Sequence, residues 1–351
     1  MRTSFLTLLL LACGGEEKPT PVVEKPAEPP PGVAVDKARL AAFGALPARM
    51  EATPASPAAI DLGRALYYDA RLSKNQDISC NSCHQLDKSG VDGNPTSPGH
   101  KGQLGGRNSP TSVNAAGHFV QFWDGRAADV EAQAKGPVLN PVEMAMPDEA
   151  SVVKVLKSIP GYKPMFDAAF PGEADPITYD NMAKAIGAFE RGLVSPAKWD
   201  QYLGGDDAAL SDAEKQGFND FVDAGCTACH GGTYVGGATY QKLGLVNAWP
   251  DATDLGRFGV TGVETDKMVF KVPGLRNITQ TGPYFHDGKT ASLDEAVQKM
   301  GHHQLGKALT DAQVQSIVTW LGALEGKLDP AYVAKPTLPE SGPDTPKPDP
   351  S

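Results

Sequence analysis

Apolar residues recur at helical spacing in several parts of the chain. Ahead of residue 80 the set is Ile60, Leu62, Leu66 and Tyr67, and ahead of residue 226 it is Phe218, Phe221 and Val222. Side chains three or four positions apart share one face of a helix, so each set predicts a helix that buries this face. Ser211 and Glu214 are spaced as a capping box and predict where the second helix begins.

The same pattern predicts four more helices, at 149–159, 179–194, 293–300 and 312–324. The second of these is expected to end at Ser195-Pro196, because proline cannot continue a helix. Ser292 and Thr310 each stand three residues before a Glu or Gln, which predicts capping boxes for the last two helices.

Sustained alternation of apolar and polar residues is almost absent, so few strands are expected. Segments 90–107 and 231–262 are long and rich in glycine, and we predict that they stay irregular. Loops of this length in a compact domain usually serve a function. The pattern therefore favours a mainly α protein with two long functional loops.

The chain has 351 residues, which at ~150 residues per domain corresponds to about two domains with additional tails. Its 32 basic and 42 acidic side chains give a formal net charge of −10. Because phosphate binding needs clustered Lys and Arg, this balance argues against nucleic acid as a main partner. Basic protein partners remain compatible with it.

The N-terminal residues resemble a secretory signal. Arg2 precedes the apolar run 5–12, which is far shorter than the ~20 residues that a membrane-spanning helix needs. The Leu-Leu-Ala-Cys string that ends at Cys13 resembles the lipobox of bacterial lipoproteins. We therefore expect residues 1–13 to be a signal with Cys13 as the acylated residue and the only link to a membrane. An ordinary cleaved signal is the alternative.

Five cysteines are present, and the four besides Cys13 form two copies of one pattern. The copies are Cys80-Asn81-Ser82-Cys83-His84 and Cys226-Thr227-Ala228-Cys229-His230. Both are Cys-x-x-Cys-His, the motif that attaches c-type haem. Two thiols three positions apart on one helical turn can bond the two vinyl groups at a haem edge, and the adjacent His then ligates the iron.

Two redox-active cysteine pairs, or a four-cysteine zinc site, are the alternative interpretations. A redox pair expects a βαβ context that is missing here, and zinc-binding pairs usually lie about 15 to 20 residues apart. Here the second pair begins 146 positions after the first. We therefore expect two cytochrome c-like helical domains, each with one covalent haem c.

The expected organisation is a signal at 1–13, a Pro/Glu-rich tether at 14–35, an N-terminal haem domain at 36–194, a C-terminal haem domain at 195–333, and a Pro-rich tail without an assigned role at 334–351.

The group opposite the iron-binding histidine decides what each haem can do. A haem with an open sixth position can activate peroxide, whereas a His/Met haem is saturated and suits electron transfer at a higher potential. Met300 is the candidate for the second haem, with core packing of Met300 and ligation by His302 or His303 as alternatives. For the first haem, His100 lies in the first glycine-rich loop and could ligate the iron in one state and leave it in another.

Several longer strings resemble the bacterial di-haem cytochrome c peroxidase family, and the likeness extends over about residues 37–328. The strings are Arg107-Asn108-Ser109-Pro110-Thr111, Gln121-Phe122-Trp123-Asp124-Gly125-Arg126-Ala127, Gln133-Ala134-Lys135-Gly136-Pro137, Val142-Glu143-Met144 and Pro283-Tyr284-Phe285-His286-Asp287-Gly288-Lys289. The resemblance implies reduction of hydrogen peroxide to water with electrons from a small cytochrome c or a cupredoxin.

The resemblance also implies the iron ligands. His84 would be the proximal ligand of an N-terminal peroxidatic haem, and His100 would be its detachable distal ligand. His230 and Met300 would hold a C-terminal haem at which electrons enter. In the family, reduction of that haem and binding of calcium release the distal histidine, which opens the first iron to peroxide.

Three further residues have implied catalytic roles. Gln133 and Glu143 would line the peroxide pocket, and Trp123 would lie between the haems on the electron route. Cleavage of the peroxide O–O bond requires a proton to move from the inner to the outer oxygen, so a base and an acid must act in turn. A carboxyl group in an apolar pocket can have its pKa raised towards neutrality and serve as both.

The family resemblance includes a calcium site between the domains. Asn108 and the backbone carbonyls of Thr281 and Pro283 match it, and calcium prefers such oxygen ligands. One departure is Lys271, which stands where the family usually has Arg and lacks the bidentate fork of that residue. Met300 favours a peroxidase, because relatives that oxidise a protein tryptophan have Tyr at the corresponding place.

The sequence therefore predicts a peroxidase of the bacterial periplasm or cell envelope. One alternative is a di-haem electron carrier without substrate chemistry, and another is a di-haem oxidase of a protein or an organic substrate. The acidic chain would suit a basic cytochrome or a neutral copper protein as electron donor. Members of the family often dimerise, so a homodimer is an expectation from the resemblance alone.

Overall fold

Helices form most of the regular structure in the computed structural model, which describes residues 32–51 and 55–351. The helices are α1 (Lys37–Leu40), α2 (Pro57–Tyr68), α3 (Cys80–Cys83), α4 (Val130–Leu139), α5 (Glu149–Ser158), α6 (Tyr162–Ala169), α7 (Tyr179–Glu190), α8 (Lys198–Leu203), α9 (Asp212–Ala224), α10 (Phe258–Thr261), α11 (Leu293–Leu305), α12 (Asp311–Gly322) and α13 (Pro330–Val333). The three-residue strands β1 (Tyr240–Lys242) and β2 (Val269–Lys271) pair antiparallel. The predicted mainly α fold is confirmed.

The predictions about the N-terminal residues lie outside this description. The signal at 1–13 with Cys13, and the tether up to residue 31, are not among the described residues. Residues 33–351 form one compact unit. No helix within the described ranges is both long enough and apolar enough to cross a membrane.

A first hydrophobic cluster is centred on the packing of α2 against α7, and α4, α5 and α6 complete it. Leu62, Leu66 and Phe189 are fully buried in this cluster. The two central helices approach so closely that a Cβ at Gly63 would lie 1.8 Å from the carbonyl oxygen of Ala185. This crossing therefore requires glycine in α2.

A second cluster repeats this construction with α9 and α12. Its fully buried aromatic side chains are Trp199 of α8, Phe218 and Trp320, and the two indole rings meet edge to face at 5.4 Å. A Cβ at Gly217 would lie 2.0 Å from the carbonyl oxygen of Ser316. Each haem motif thus follows a helix that crosses its partner at a glycine.

The ends of the described chain pack on the cluster of the opposite half. The ring of Phe43 lies 5.6 Å from that of Trp199 in the second cluster, and Tyr332 stacks on Phe189 of the first cluster at 5.2 Å. The two halves therefore exchange short segments. The predicted haem domains at 36–194 and 195–333 assign each of these segments to the other half. Their bounds stay a prediction.

The predicted helices are present, and two of them differ from the prediction by four or more residues at their C-terminal ends. α7 stops at Glu190 instead of residue 194, because the chain turns at Gly192, where a Cβ would lie 2.1 Å from Tyr332 Oη. α11 continues past Met300 to Leu305, and Gly306 then ends it in the left-handed conformation. The predicted bounds were wrong at these two ends.

Local capping was predicted well. The boxes that begin at Ser211 and Thr310 are both formed. Ser292 Oγ accepts the predicted hydrogen bond from the backbone N–H of Glu295, but the Glu295 carboxylate pairs with Lys299 at 2.8 Å. The third box is therefore only half formed. Of the two loops, 90–107 contains only the single turn His100–Gly102, whereas 231–262 also contains β1 and α10.

Candidate haem sites

The first Cys-x-x-Cys-His motif forms a single helical turn, α3, directly followed by His84. The backbone N–H of Ser79 donates to Ser82 Oγ at 3.0 Å and supports the start of this turn. Tyr67 Oη of α2 donates to the carbonyl of His84 at 2.8 Å. Cys80 and Cys83 are free thiols, as attachment of a haem through thioether bonds requires.

The second motif is placed by the end of α9. Gly225 adopts the left-handed conformation, with φ 99°, and ends this helix. The chain then forms the single turn Cys226–Ala228, which leads into Cys229 and His230. Both cysteines are again free thiols. Two identical sequence patterns therefore give two similar short turns, each after a buried helix.

His84 faces a cavity of about 1650 Å³, including its opening to solvent, which we call the first cavity. His230 faces a second cavity of about 1720 Å³. Burial lowers the pKa of His84, and it lowers the pKa of His230 to about 4. Both imidazoles are thus neutral at pH 7 and retain the lone pair that a metal ligand needs.

Both cavities fit a covalently attached haem. Each is faced by two free thiols and a neutral imidazole, and apolar side chains form much of the wall. Burial raises the pKa of Cys80 to about 12 and that of Cys226 to about 11, so these thiols are not ionised nucleophiles at pH 7. This disfavours the alternative of two redox-active thiolate pairs.

The wall of the first cavity carries the predicted distal residues. Gln133 of α4 and Glu143 both line it, together with Arg126. Burial raises the pKa of Glu143, and the charge of Arg126 and a hydrogen bond from Asn140 Nδ2 at 2.9 Å oppose this shift. A carboxyl whose pKa is raised by burial thus faces the first cavity.

Glu190 at the end of α7 also lines the first cavity, and the sequence analysis did not single it out. Burial raises the pKa of Glu190 to about 8, and the nearby Glu131 adds to this effect. The sequence offers little signal for it, because Glu190 ends an apolar helical stripe and looks like a solvated residue. Met144 also reaches this wall, but it belongs to the first hydrophobic cluster.

His100 is placed differently from the other predicted residues of this site. Its side chain is 5% exposed and does not line the first cavity. Its Nε2 lies 3.2 Å from the carbonyl oxygen of Ser351, and its backbone N–H donates to the carbonyl of Glu143 at 2.8 Å. The backbone of the His100 loop therefore lies beside Glu143, whereas the imidazole contacts the Pro-rich segment 334–351.

Met300 of α11 lines the second cavity together with His230. His302 and His303 do not line it, and His303 Nδ1 lies 3.0 Å from the carbonyl of Asn247 instead. Of the three candidates from the sequence, Met300 therefore lines the second cavity and His302 and His303 do not, and the role of Met300 as sixth ligand stays a prediction. No Asp or Glu of the described residues lines this cavity.

Lys271, noted in the sequence as a departure from the family pattern, forms a buried basic pair with His118, which the sequence analysis did not single out. Lys271 Nζ lies 3.0 Å from His118 Nδ1, both side chains line the second cavity, and no carboxylate of the described residues pairs with Lys271. Burial lowers the pKa of Lys271 to about 8. Burial and the positive charge of Lys271 lower the pKa of His118 well below its ordinary value. A buried cation needs an anionic partner.

One segment separates the two cavities and lines both of them. It includes Asn108, Phe122 and Trp123. Trp123 Nε1 donates to the carbonyl of Asn108 at 2.9 Å, and the backbone N–H of Lys271 donates to the carbonyl of Trp123 at 2.8 Å. Trp123 therefore lines both cavities, and a hydrogen bond orients its indole ring.

Thr281 and Pro283 line the second cavity, and Asn108 lines both cavities. The amide nitrogen of Asn108 donates to the carbonyls of Asn94 and Pro95, at 2.9 and 3.3 Å, which leaves its oxygen for another partner. In the described part of the chain, no group of three or more His, Cys, Asp or Glu side chains could hold a metal ion. A calcium ion here would rely on amide and backbone oxygens.

Comparison with known proteins agrees with this arrangement. The family model described as di-haem cytochrome c peroxidase matches residues 57–208. A cytochrome c551 peroxidase from Pseudomonas aeruginosa is 46% identical over 301 residues, which cover 84% of this chain and 86% of the relative. The chain belongs to the di-haem cytochrome c peroxidase family. As a member of this family it is a haem peroxidase of the oxidoreductase class with two haem c groups.

Other relatives share the fold and differ in their described roles. Methylamine utilization protein MauG from Methylorubrum extorquens is 34% identical over 303 residues, which cover 82% of this chain and 84% of MauG. The solved structure of a MauG-like protein associated with microbial copper homeostasis aligns with a TM-score of 0.73 and 28% identity. It covers 90% of this chain and 99% of its own. Two helical haem domains are therefore the shared architecture.

Proposed function

We propose that this peroxidase reduces hydrogen peroxide to water at the first cavity, with electrons that enter at the second. The observation that carries this assignment is the distribution of carboxyl groups. Glu143 and Glu190 line the first cavity, whereas no acidic side chain in the described part of the chain lines the second. Among the described residues, a carboxyl group that could transfer a proton to peroxide therefore lines only the first of the two cavities.

The chain's own residues account for how two haems would be held. Cys80 and Cys83 would attach the first haem and Cys226 and Cys229 the second, with His84 and His230 as proximal ligands. The buried pair of Lys271 and His118 would face a haem carboxylate, which supplies the anionic partner that the protein lacks there. When bound, the haem irons supply electron storage and the coordination site for peroxide.

Glu143 is proposed to move the proton during O–O cleavage. Its raised pKa allows it to accept a proton from the inner oxygen and to return that proton to the outer oxygen. Gln133 makes no side-chain hydrogen bond with the described residues, so its amide is free to orient peroxide. Asn140 holds Glu143 Oε1 and limits the rotamers of this carboxyl.

Trp123 is proposed to couple the two sites. Its ring lies in the segment shared by both cavities, and its Nε1 hydrogen bond fixes the ring plane. Electrons would enter through the Met300-ligated site, where a sulfur ligand favours a high potential. They would pass by Trp123 to the His84 site, one at a time.

His100 is proposed to be a distal ligand that leaves before turnover, and calcium bound by Asn108, Thr281 and Pro283 is proposed to favour its release. The position of His100 next to the carbonyl of Ser351 supports a state in which the ligand is away from the first cavity. The same proposal includes a small cytochrome c or a cupredoxin as donor and hydrogen peroxide as substrate. It also includes residence in the periplasm or cell envelope with a lipid on Cys13.

The test is a turnover assay with half-reduced, calcium-loaded holoprotein, hydrogen peroxide and a reduced small cytochrome c. We expect two cytochromes to be oxidised for each peroxide consumed, and we expect calcium chelation to suppress the rate. Turnover no faster than that of free haem would reject the proposal and favour an electron carrier. The assay also needs spectra of both irons, because a carrier would keep both six-coordinate.

A further inference from the structure

The side chain of His100 has a specific partner outside the first cavity. Its Nε2 lies within hydrogen-bond distance, 3.2 Å, of the carbonyl oxygen of Ser351. A carbonyl only accepts, so Nε2 carries the hydrogen and donates in this contact. A ring nitrogen that carries hydrogen has no lone pair for iron. This contact and ligation through Nε2 therefore exclude each other.

The segment that provides this partner is docked on the turn after α2. The backbone N–H of Asp349 donates to the carbonyl of Lys74 at 3.0 Å, and Lys74 Nζ donates to the carbonyl of Ser351 at 2.8 Å. Gln76 Nε2 donates to the carbonyl of Pro346 at 2.7 Å. The carbonyl of Ser351 is thus positioned by contacts that do not depend on His100.

The docking turn is joined to the distal wall of the first cavity. The backbone N–H of Lys74 donates to the carbonyl of Met144 at 2.8 Å, and the N–H of His100 donates to the carbonyl of the preceding Glu143. The Pro-rich segment, the docking turn, the Glu143 turn and the His100 loop therefore form one hydrogen-bonded series. Removal of the segment would take away the partner of His100 without touching the cavity residues.

We propose that residues 341–351 hold His100 after it leaves the first iron, and thereby favour the open, peroxide-accepting state. The inference rests on the proposed role of His100 as a detachable ligand. It assigns a positioning role to the Pro-rich segment, for which the sequence analysis had no function. A single net hydrogen bond would change the ratio of open to closed protein by about two- to tenfold.

The test compares two aspartates of this segment in the holoprotein. Asp349 lies 3.6 Å from Lys74 Nζ and accepts from the N–H of Ser351 at 2.9 Å, so Asp349→Ala should loosen the docking. Asp344 is exposed and makes no such contact, so Asp344→Ala is the matched control. A protein that stops at residue 340 removes the whole segment.

The readout is the fraction of five-coordinate first iron in half-reduced, calcium-loaded protein, measured by electron paramagnetic resonance and optical absorption. We expect Asp349→Ala and the shortened protein to lower the ratio of open to closed iron by about two- to tenfold. Asp344→Ala should match the parent. An unchanged ratio in the shortened protein would overturn the inference.

A His100→Gly background separates this inference from the function proposed above. There the shortened protein should show the same coordination as the full chain, because the side chain through which the segment is proposed to act is missing. A remaining difference would show that the segment acts elsewhere and would overturn the inference. Since coordination is read without turnover, failure of the parent in the peroxidase assay would reject the proposed function separately.

Discussion

The two cavities share their anchoring end and differ at the opposite wall. Each motif follows a helix that crosses its partner at a glycine, Gly63 in one half and Gly217 in the other. The first cavity is lined by carboxyl, amide and guanidinium groups in addition to His84, whereas the second is lined by the sulfur of Met300 in addition to His230 and, among the described residues, by no carboxyl. The two anchors are therefore alike, and the difference between the cavities lies in their other lining residues.

A second correspondence connects the two halves. Asn114 and Phe122 stand 163 positions before Asn277 and Phe285, and all four have positive φ. Both asparagines donate from Nδ2 to Ser195 Oγ, each at 2.8 Å. The repeated Phe-x-Asp-Gly strings were a signal of this relation that the sequence analysis did not use. They place Trp123 and His286 at equivalent positions, with ring centroids 6.4 Å apart.

The largest expected effect comes from Glu143→Gln, which removes the proposed proton carrier of the first cavity. We expect peroxide turnover to fall by about 10²- to 10⁴-fold while both haems stay attached. Glu149→Gln, an exposed residue of α5, is the control and should keep the parent rate. Stopped-flow kinetics of O–O cleavage measure the difference. Turnover of Glu143→Gln at the parent rate would remove the proposed distinction between the cavities.

The pH dependence of the same reaction gives a related check. Because burial raises the pKa of Glu143, its base form is lost as the pH falls through a value above that of a free carboxyl. The parent rate should therefore decrease on the acid side, and Glu143→Gln should lack this limb.

Glu190→Gln should change how stability depends on pH. Burial raises the folded-state pKa of Glu190 from 4.5 to about 8, so the folded protein binds a proton that the unfolded chain releases in this range. The free energy of unfolding should therefore decrease as the pH rises from about 4.5 to about 8, by an amount on the order of a few kcal/mol. In Glu190→Gln this contribution should be absent. Urea unfolding of parent and variant at pH 5 and pH 8 compares the two slopes, and equal slopes would contradict the assignment.

The two helix crossings should tolerate alanine poorly. Gly63→Ala and Gly217→Ala each place a Cβ within about 2 Å of a carbonyl oxygen, and we expect a loss of about 1–3 kcal/mol in the free energy of unfolding. Gly322→Ala in α12 is the control, because nothing lies within 4 Å of its Cβ position. It should be neutral or stabilising by about 0.5–1 kcal/mol. Chemical denaturation checks this, and equal midpoints for all three variants would disprove the close crossings.

The smallest expected effect is that of Lys271→Met on the second haem. A positive charge disfavours the oxidised iron, so its removal should lower the reduction potential of the Met300 site and leave the His84 site nearly unchanged. Lys242→Met on β1 removes an exposed charge and is the control. Spectroelectrochemical titration measures both potentials. A shift confined to the first haem would place Lys271 at the other site.

Local patterns predicted much of the fold and of the haem anchors. Cys80, Cys83 and His84 lie within or next to one helical turn. The capping boxes at Ser211 and Thr310 likewise join residues three positions apart. Such contacts are set by the spacing along the chain, so the sequence contains them directly. Roles for Trp123 and Glu143 came from the family resemblance and not from periodicity.

The sequence by itself determined the two anchoring motifs, the helices before them and the mainly α class, because these depend on residues within a few turns of each other. Only the tertiary structure decided which groups line each cavity. His100 and Ser351 are 251 positions apart, and Asn114 and Ser195 are 81 positions apart, so no local spacing predicts these contacts. The burial that raises the pKa of Glu190 likewise arises from packing of distant segments, since desolvation depends on everything that surrounds the carboxyl.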